Sequence, residues 1–196
     1  MKLTILHTGQ TGVARGAHLG ALDGGLPIAG WMPRGKHDEL GPIPADVAQH
    51  LIPCTVGIRD GGFLAATGAN VEWATHVLMV VQDCRKIAST REAALIHDLA
   101  RDELYGRPWI AVDPDIPSAQ LKDWIARELK ILRAADRFEM RLLVAGPRAS
   151  HWEAGEISAR TFVASLGNAL ACFVHAGGGL GSLPEVDGGG EGFSPT

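Results

Sequence analysis

Paired cysteines, surplus basic charge and long apolar runs are all missing from this chain. Its three cysteines, Cys54, Cys84 and Cys172, lie far apart, form no CxxC pair and are odd in number, which argues against a disulfide framework and against a zinc site. They are expected to be the reduced thiols of a cytoplasmic protein. Eighteen lysines and arginines against 22 aspartates and glutamates give a net charge of −4, so nothing recommends nucleic acid or an acidic membrane surface as a partner. No apolar segment approaches membrane-spanning length, and the short one after Lys2 is too brief for a signal peptide. GxSxG, HExxH and paired metal-ligand spacings do not occur, and the eight histidines are scattered, so no compact signature of hydrolysis or metal catalysis is present and no metal ligands are expected.

Glycine, by contrast, is abundant and placed where it carries information. The apolar run Leu3-Thr4-Ile5-Leu6 empties into His7-Thr8-Gly9-Gln10-Thr11-Gly12-Val13-Ala14-Arg15-Gly16-Ala17, the grammar of a strand, a tight turn and a helix start. Free backbone N–H groups there meet the positive end of a helix dipole and suit an anion, usually a phosphate. Gly9 and Gly12 would let the backbone approach it, Gln10 and Thr11 would add side-chain donors, and Arg15 would add charge. The alternative is a tight βα turn that needs glycine for packing alone. The glycine spacing differs from GxGxxG and no acidic ribose ligand follows, which argues against a nicotinamide dehydrogenase.

Strand-length apolar runs over 2–7, 76–81, 109–112 and 140–145 alternate with helix-like stretches, the pattern of βαβ units around a buried parallel sheet. Helices are expected over 13–22, 69–73, 90–104, 118–136 and 158–175. In the fourth, Leu121, Trp124, Ile125, Leu129 and Leu132 recur at helical spacing, with Lys122, Arg127, Glu128 and Lys130 assigned to the polar side. The Pro- and Gly-rich stretch 32–66 reads as a long functional loop over the edge of the sheet. At 196 residues one domain over 1–176 is expected, followed by a mobile Gly-rich tail over 177–196.

Three further segments can carry chemistry. Gly146-Pro147-Arg148-Ala149-Ser150-His151 also leaves a strand, and Arg148 offers a bidentate guanidinium to an oxyanion. Loops at the carboxyl ends of parallel strands converge on one crevice, so this loop and the first reinforce each other. Trp31, Arg34 and Lys36 could meet a ring and a phosphate, or Trp31 could plug the core beneath solvated charges. Ser89 or Thr90 could cap a helix whose N-terminus, with Arg91, accepts an anion. Glu92 there, or Glu72, could do acid/base work, although a first-turn glutamate more often serves the helix dipole.

Thr8-Gly9-Gln10-Thr11-Gly12-Val13, Gly30-Trp31-Met32-Pro33-Arg34-Gly35, Gly41-Pro42-Ile43-Pro44, Asn70-Val71 and Val144-Ala145-Gly146-Pro147-Arg148-Ala149-Ser150 together resemble the molybdenum carrier family. That family is the circularly permuted, YpsA-like branch of the SLOG and lysine-decarboxylase-like superfamily, and the likeness runs in order from about residue 3 to about residue 170. It implies an α/β, Rossmann-like three-layer sandwich with a mostly parallel sheet, whose customary first strand has moved to the C-terminal end. It also implies a cytoplasmic homo-oligomer that binds a phosphorylated, ring-bearing small molecule, the molybdenum cofactor or a nucleotide. Carried across, Gly9, Gln10, Thr11, Gly12, Arg34, Gly35, Asn70, Gly146, Arg148 and Ser150 become the cofactor-binding residues, Asn70 on the resemblance alone. The chain departs from the family pattern in Ala14, where the family has Asp, in Ala66-Thr67 for Arg-Thr, and in Ser89-Thr90-Arg91-Glu92 for a Gly-Gly-Thr loop. The expectation is binding and carriage without turnover. The alternatives are a phosphoribohydrolase-like enzyme cleaving nucleoside monophosphates through Arg91 and Glu92, and a nucleotide sensor using the same site.

Overall fold

A strand of a parallel sheet covered on both faces has no polar alternation to display, and the first strand fits that rule: β1 (Lys2–Leu6) is buried from Leu3 onward. In the computed structural model, which describes residues 2–55, 62–85, 96, 98 and 106–175 (168–175 as backbone only), it leads into α1 (Val13–Asp23) and the short β2 (Ile28–Ala29). Then follow β3 (Trp31–Met32), β4 (His37–Asp38), β5 (Gly41–Pro42), α2 (Ala45–Ala48), β6 (Ile52–Pro53), α3 (Phe63–Trp73) and β7 (His76–Val80). The remaining elements are β8 (Trp109–Val112), α4 (Ser118–Ala134), β9 (Glu139–Ala145) and α5 (Gly155–His175).

Five strands form the central sheet in the order β2-β1-β9-β7-β8, and every pairing is parallel. The last strand in sequence is thus the middle strand in space, with Ile5 opposite Leu142 on one side and Leu78 opposite Val144 on the other. Alternate side chains feed opposite cores, as the two-residue period of a strand requires. Leu3, Ile5, Leu78, Val80, Leu142 and Val144 pack under α1, α4 and α5. Leu6, Val77, Met79 and Leu143 pack with Val71 of α3 and Ile96. The result is the expected α/β three-layer sandwich.

The tightest junction in this sandwich joins α1 to α5. Gly16, Gly20 and Gly24 recur every four residues and make one stripe. A Cβ on Gly16 would lie 2.1 Å from the Glu156 carbonyl oxygen, one on Gly20 2.5 Å from that of Arg160, and one on Gly167 2.2 Å from that of Gly24. Backbone therefore touches backbone along the seam. At its exposed edge Arg160 holds both carboxylate oxygens of Asp23, at 2.6 and 3.1 Å.

Three expectations need correction. Of the stretch 32–66 expected as a long functional loop, the described part up to residue 55 is folded: β3 pairs with β6, β4 with β5, and Met32, Ile43, Val47 and Leu51 form a small core of their own. Its strands are two residues long, too short for any periodicity to show. Second, α3 begins at Phe63, just after Gly62 in the left-handed conformation, and not at residue 69. Gly68, a poor helix former inside it, conceals the first turns. Third, Glu128 lies on the buried side of α4, 7% exposed, because it sits four residues after Trp124 and three after Ile125. There its carboxylate approaches His76 Nε2 at 3.5 Å and Arg127 Nε at 3.3 Å. The helix expected over 90–104, but for Ile96 and Asp98, and the tail over 177–196 lie outside the described residues.

Candidate functional site

The first glycine loop rests on a buried pair of imidazoles. The Gly9 N–H donates to His7 Nδ1 at 3.0 Å, so the proton of a neutral His7 ring belongs on Nε2. That nitrogen faces His18 Nδ1 at 3.3 Å. The His18 proton then falls on its own Nε2, which is buried and meets no hydrogen-bond partner among the described residues. Burial, reinforced by repulsion from His18, Arg15 and His50, lowers the pKa of His7 to about 3. Burial and the neighbouring His50 lower that of His18 as well. The loop is underpinned by neutral rings. Arg15 Nη2 reaches the Gly9 carbonyl at 3.3 Å and Asp38 at 3.0 Å, fastening the loop to the β4–β5 hairpin.

The second loop leaves the adjacent strand, β9, and is pressed against the first. Gly12 has a φ of +71°, and a Cβ there would lie 2.6 Å from both the Pro147 oxygen and the Ala149 nitrogen, so this crossing demands glycine on two counts. The Val13 N–H, orphaned by its place at the start of α1, donates to the Pro147 carbonyl at 3.1 Å. The Ala149 N–H points at Thr11 Oγ1 at 3.4 Å. Thr11 Oγ1 in turn donates to Glu39 Oε1 at 2.6 Å, and the Ser150 N–H donates to the same oxygen at 3.0 Å. The Ser150 hydroxyl donates to Glu39 Oε2. Burial works against the Glu39 charge, but the hydrogen bonds from Ser150 and Thr11 and the charge of Arg148 outweigh it and hold this carboxyl below its usual range. The Arg148 guanidinium carbon stands 4.5 Å above the centre of the Phe63 ring, a cation–π distance.

Between the carboxyl ends of β1 and β9 lies a narrow recess of about 10 Å³ whose lining mixes polar (Thr8, Gln10, Thr11) and apolar (Ala14, Ile96, Leu143) side chains. Gln10 is 2% exposed, yet neither its amide nitrogen nor its amide oxygen has a hydrogen-bond partner among the described residues. An unsatisfied buried amide is costly. Its donor and acceptor together match the edge of a heterocycle that presents an acceptor beside a donor.

Of the residues nominated by sequence, Gln10, Thr11, Gly146 and Arg148 line this recess, and Ser150 joins it through Glu39. Gly9 and Gly12 shape the backbone around it, Gly9 with a φ of +77° that a residue with a Cβ rarely adopts. Arg34 and Gly35 sit elsewhere, in the exposed turn closed by the Lys36 N–H on the Pro33 carbonyl at 2.9 Å. Asn70 is buried and saturated by backbone: its Oδ1 accepts from Trp31 N–H at 2.9 Å, and its Nδ2 donates to the Trp31 and Ala66 carbonyls at 2.8 Å each. It clamps α3 to β3. Trp31 is half-buried beside that clamp. Arg91 and Glu92 lie outside the described residues. Sequence reasoning missed Glu39 as a participant, since only the fold of the 32–66 segment brings it across 111 positions to Ser150. Among the described residues there is no cluster of three side chains suited to a metal ion, and no helix long and apolar enough to cross a membrane.

A convergence of two loops around a central last strand is specific enough to compare with known proteins. The model of the circularly permutated YpsA SLOG family matches residues 5–166. The chain belongs to this family. A solved structure that it resembles, a "putative molybdenum carrier protein" from Syntrophus aciditrophicus SB, shares 23% sequence identity over 83% of this chain and 92% of that one, with a TM-score of 0.66. At that identity the likeness speaks for the fold. No curated protein matches. The permutation in this YpsA-family chain accounts for its topology. Followed from β9 through α5 to β1, α1 and β2, the sheet order β2-β1-β9-β7-β8 becomes the ordinary doubly wound 3-2-1-4-5, with the chain opened between α5 and β1. It also explains why the Gly-Pro-Arg-Ala-Ser loop, so remote in sequence, stands beside the first glycine loop.

Proposed function

We propose that the chain binds a phosphorylated, ring-bearing small molecule, the molybdenum cofactor or a nucleotide, at the carboxyl ends of β1 and β9 and carries it without chemical turnover. The observation that carries this reading is Gln10: a buried amide, unsatisfied at both atoms, in a recess lined by polar and apolar side chains together. The recess in the free chain is small, about 10 Å³ or room for one water, so a flat ring bearing hydrogen-bonding groups along one edge would have to widen it for the amide to read that edge. The hydroxyls of Thr11 and Ser150, the Ser150 N–H and the nearby Arg148 suit an anionic group outside the slot. The family membership and the resemblance to a protein named for molybdenum carriage support the same reading.

Thermal unfolding in the presence of nucleotides, molybdate or isolated molybdenum cofactor tests it. A ligand at a hundred times its Kd should add about 2.7 kcal/mol, which for a chain of this size is a rise in Tm of about 5–10 °C. Arg148→Ala should reduce that shift. If no ligand raises Tm, or if Arg148→Ala leaves the shift intact, the site is wrongly placed.

A further inference from the structure

We infer that Glu39 is a built-in competitor for the anionic end of the ligand: its carboxylate occupies the cradle formed by Thr11 and Ser150, and binding exchanges it for the ligand's phosphate. This rests on the proposed binding site and says how access to it is set.

Three donors converge on one carboxylate: the hydroxyl of Thr11, the hydroxyl of Ser150 and the backbone N–H of Ser150. Thr11 and Ser150 belong to loops leaving neighbouring parallel strands, the place where such sheets bind anions. Arg148 supplies positive potential at the same carboxylate. Hydroxyls, an outward-facing N–H and a guanidinium are what a phosphate monoester requires, and here a side chain of the protein has taken them. That the neighbouring slot still holds an unpaired buried amide in Gln10 separates the two halves of the site. The anion half is filled from within by Glu39.

The way Glu39 is carried makes exchange possible. It sits at the tip of the β4–β5 hairpin next to Leu40, which is 84% exposed, so the tip can lift without uncovering a core. The base is fixed separately: Asp38 is held by Arg15 at 3.0 Å, and its other oxygen accepts the Leu40 N–H at 2.8 Å. A lifted Glu39 therefore has a short tether and remains able to return. The exchange is also selective by charge, because a ligand with no anion offers the cradle nothing better than the carboxylate already there.

Inorganic phosphate and adenosine monophosphate, titrated calorimetrically at constant ionic strength into the full chain and its Glu39→Ala and Glu39→Gln variants, decide the matter. Glu39→Ala should bind both about tenfold or more tightly than the unmodified chain, with Glu39→Gln between, since the amide keeps an acceptor but loses the charge. Asp123→Asn, the same change of charge on the far helix α4, should leave affinity unaltered. Adding Ser150→Ala to Glu39→Ala should abolish the gain. Circular dichroism and Tm confirm that each variant is folded. Equal or weaker phosphate binding in Glu39→Ala, or an equal gain from Asp123→Asn, overturns the competitor role while leaving the proposed binding site standing. If neither ligand binds any variant, and cofactor and nucleotides also fail to raise Tm, both readings fall together.

Discussion

The two ends of α1 are both lined with glycine, and they use it in opposite ways. At the N-terminal end Gly9 and Gly12 hold positive φ values of +77° and +71° and shape a crevice whose polar groups are incompletely used. Further along, Gly16 and Gly20 within the helix and Gly24 at its C-cap have no positive φ and let α5 approach until backbone meets backbone. The seam is closed by backbone against backbone; the crevice contains Gln10 with unsatisfied buried atoms, and His18 beneath it has one more. Glycine content alone cannot tell these roles apart. The sign of φ and the satisfaction of neighbouring polar groups can, and those two quantities separate a part built for close packing from a part that borders the proposed binding site.

Gly16→Ala should give the largest effect and break the seam. In an exposed helix alanine would stabilise by up to about 1 kcal/mol, but here its Cβ would stand 2.1 Å from a backbone oxygen, which no rotamer change relieves. Separating two helices should cost about 3 kcal/mol or more, a fall in Tm of about 6–12 °C measurable by circular dichroism. A neutral or stabilising result would mean that the helices are less closely apposed than the contact distances require.

The buried histidines under the crevice sharpen the contrast through pH. His7 has a native pKa of about 3 against 6.5 for the free side chain. Between those values the unfolded chain binds a proton that the folded chain refuses, so stability is constant above about pH 6.5 and falls as pH drops toward 3. The slope is up to about 1.4 kcal/mol per pH unit from this residue. His18 and His76 are shifted in the same direction and add to the loss. Urea unfolding at pH 7, 6 and 5 should show a falling midpoint. His7→Asn, which keeps an acceptor for the Gly9 N–H, should lower stability overall and make that fall shallower. An unchanged slope would assign the acid sensitivity to other groups.

What could be read from sequence follows the length of the signal. Leu3 to Leu6, broken only by Thr4, and Val77 to Val80 are apolar runs, and Leu121, Trp124, Ile125 and Leu129 repeat at helical spacing, so the sheet and α4 were legible, as was the meeting of the loops after β1 and β9. The small fold within 32–66 was not, because its strands are two residues long and its core, Met32, Ile43, Val47 and Leu51, follows no period. Glu39 was hidden for the same reason. The seam was legible and overlooked: Gly16, Gly20 and Gly24 stand four apart along and just past a helix that was itself expected. Arg15 and Asn70 mark a subtler limit. Residue type shows that a side chain can donate hydrogen bonds, but only the fold shows whether Asp38 or the Trp31 backbone has already accepted them.

Gln10→Leu should produce the smallest change in stability and the most telling one, because its sign is opposite to that of Gly16→Ala. Leucine is close in volume to glutamine and brings no polar atoms to the recess. The free protein loses an amide that is buried and unpaired at both ends, and relief of that penalty should raise stability by about 1 kcal/mol, or about 2–4 °C in Tm. Ligand-dependent stabilisation should disappear in the same variant, since the group proposed to read the ring edge is gone. A stable protein that no longer responds to ligand would show that the crevice retains an energetically unfavourable residue for the sake of binding. If Gln10→Leu instead lowers Tm, the amide is already satisfied in the folded chain, and the division of α1 into a structural stretch and a functional end loses its main support.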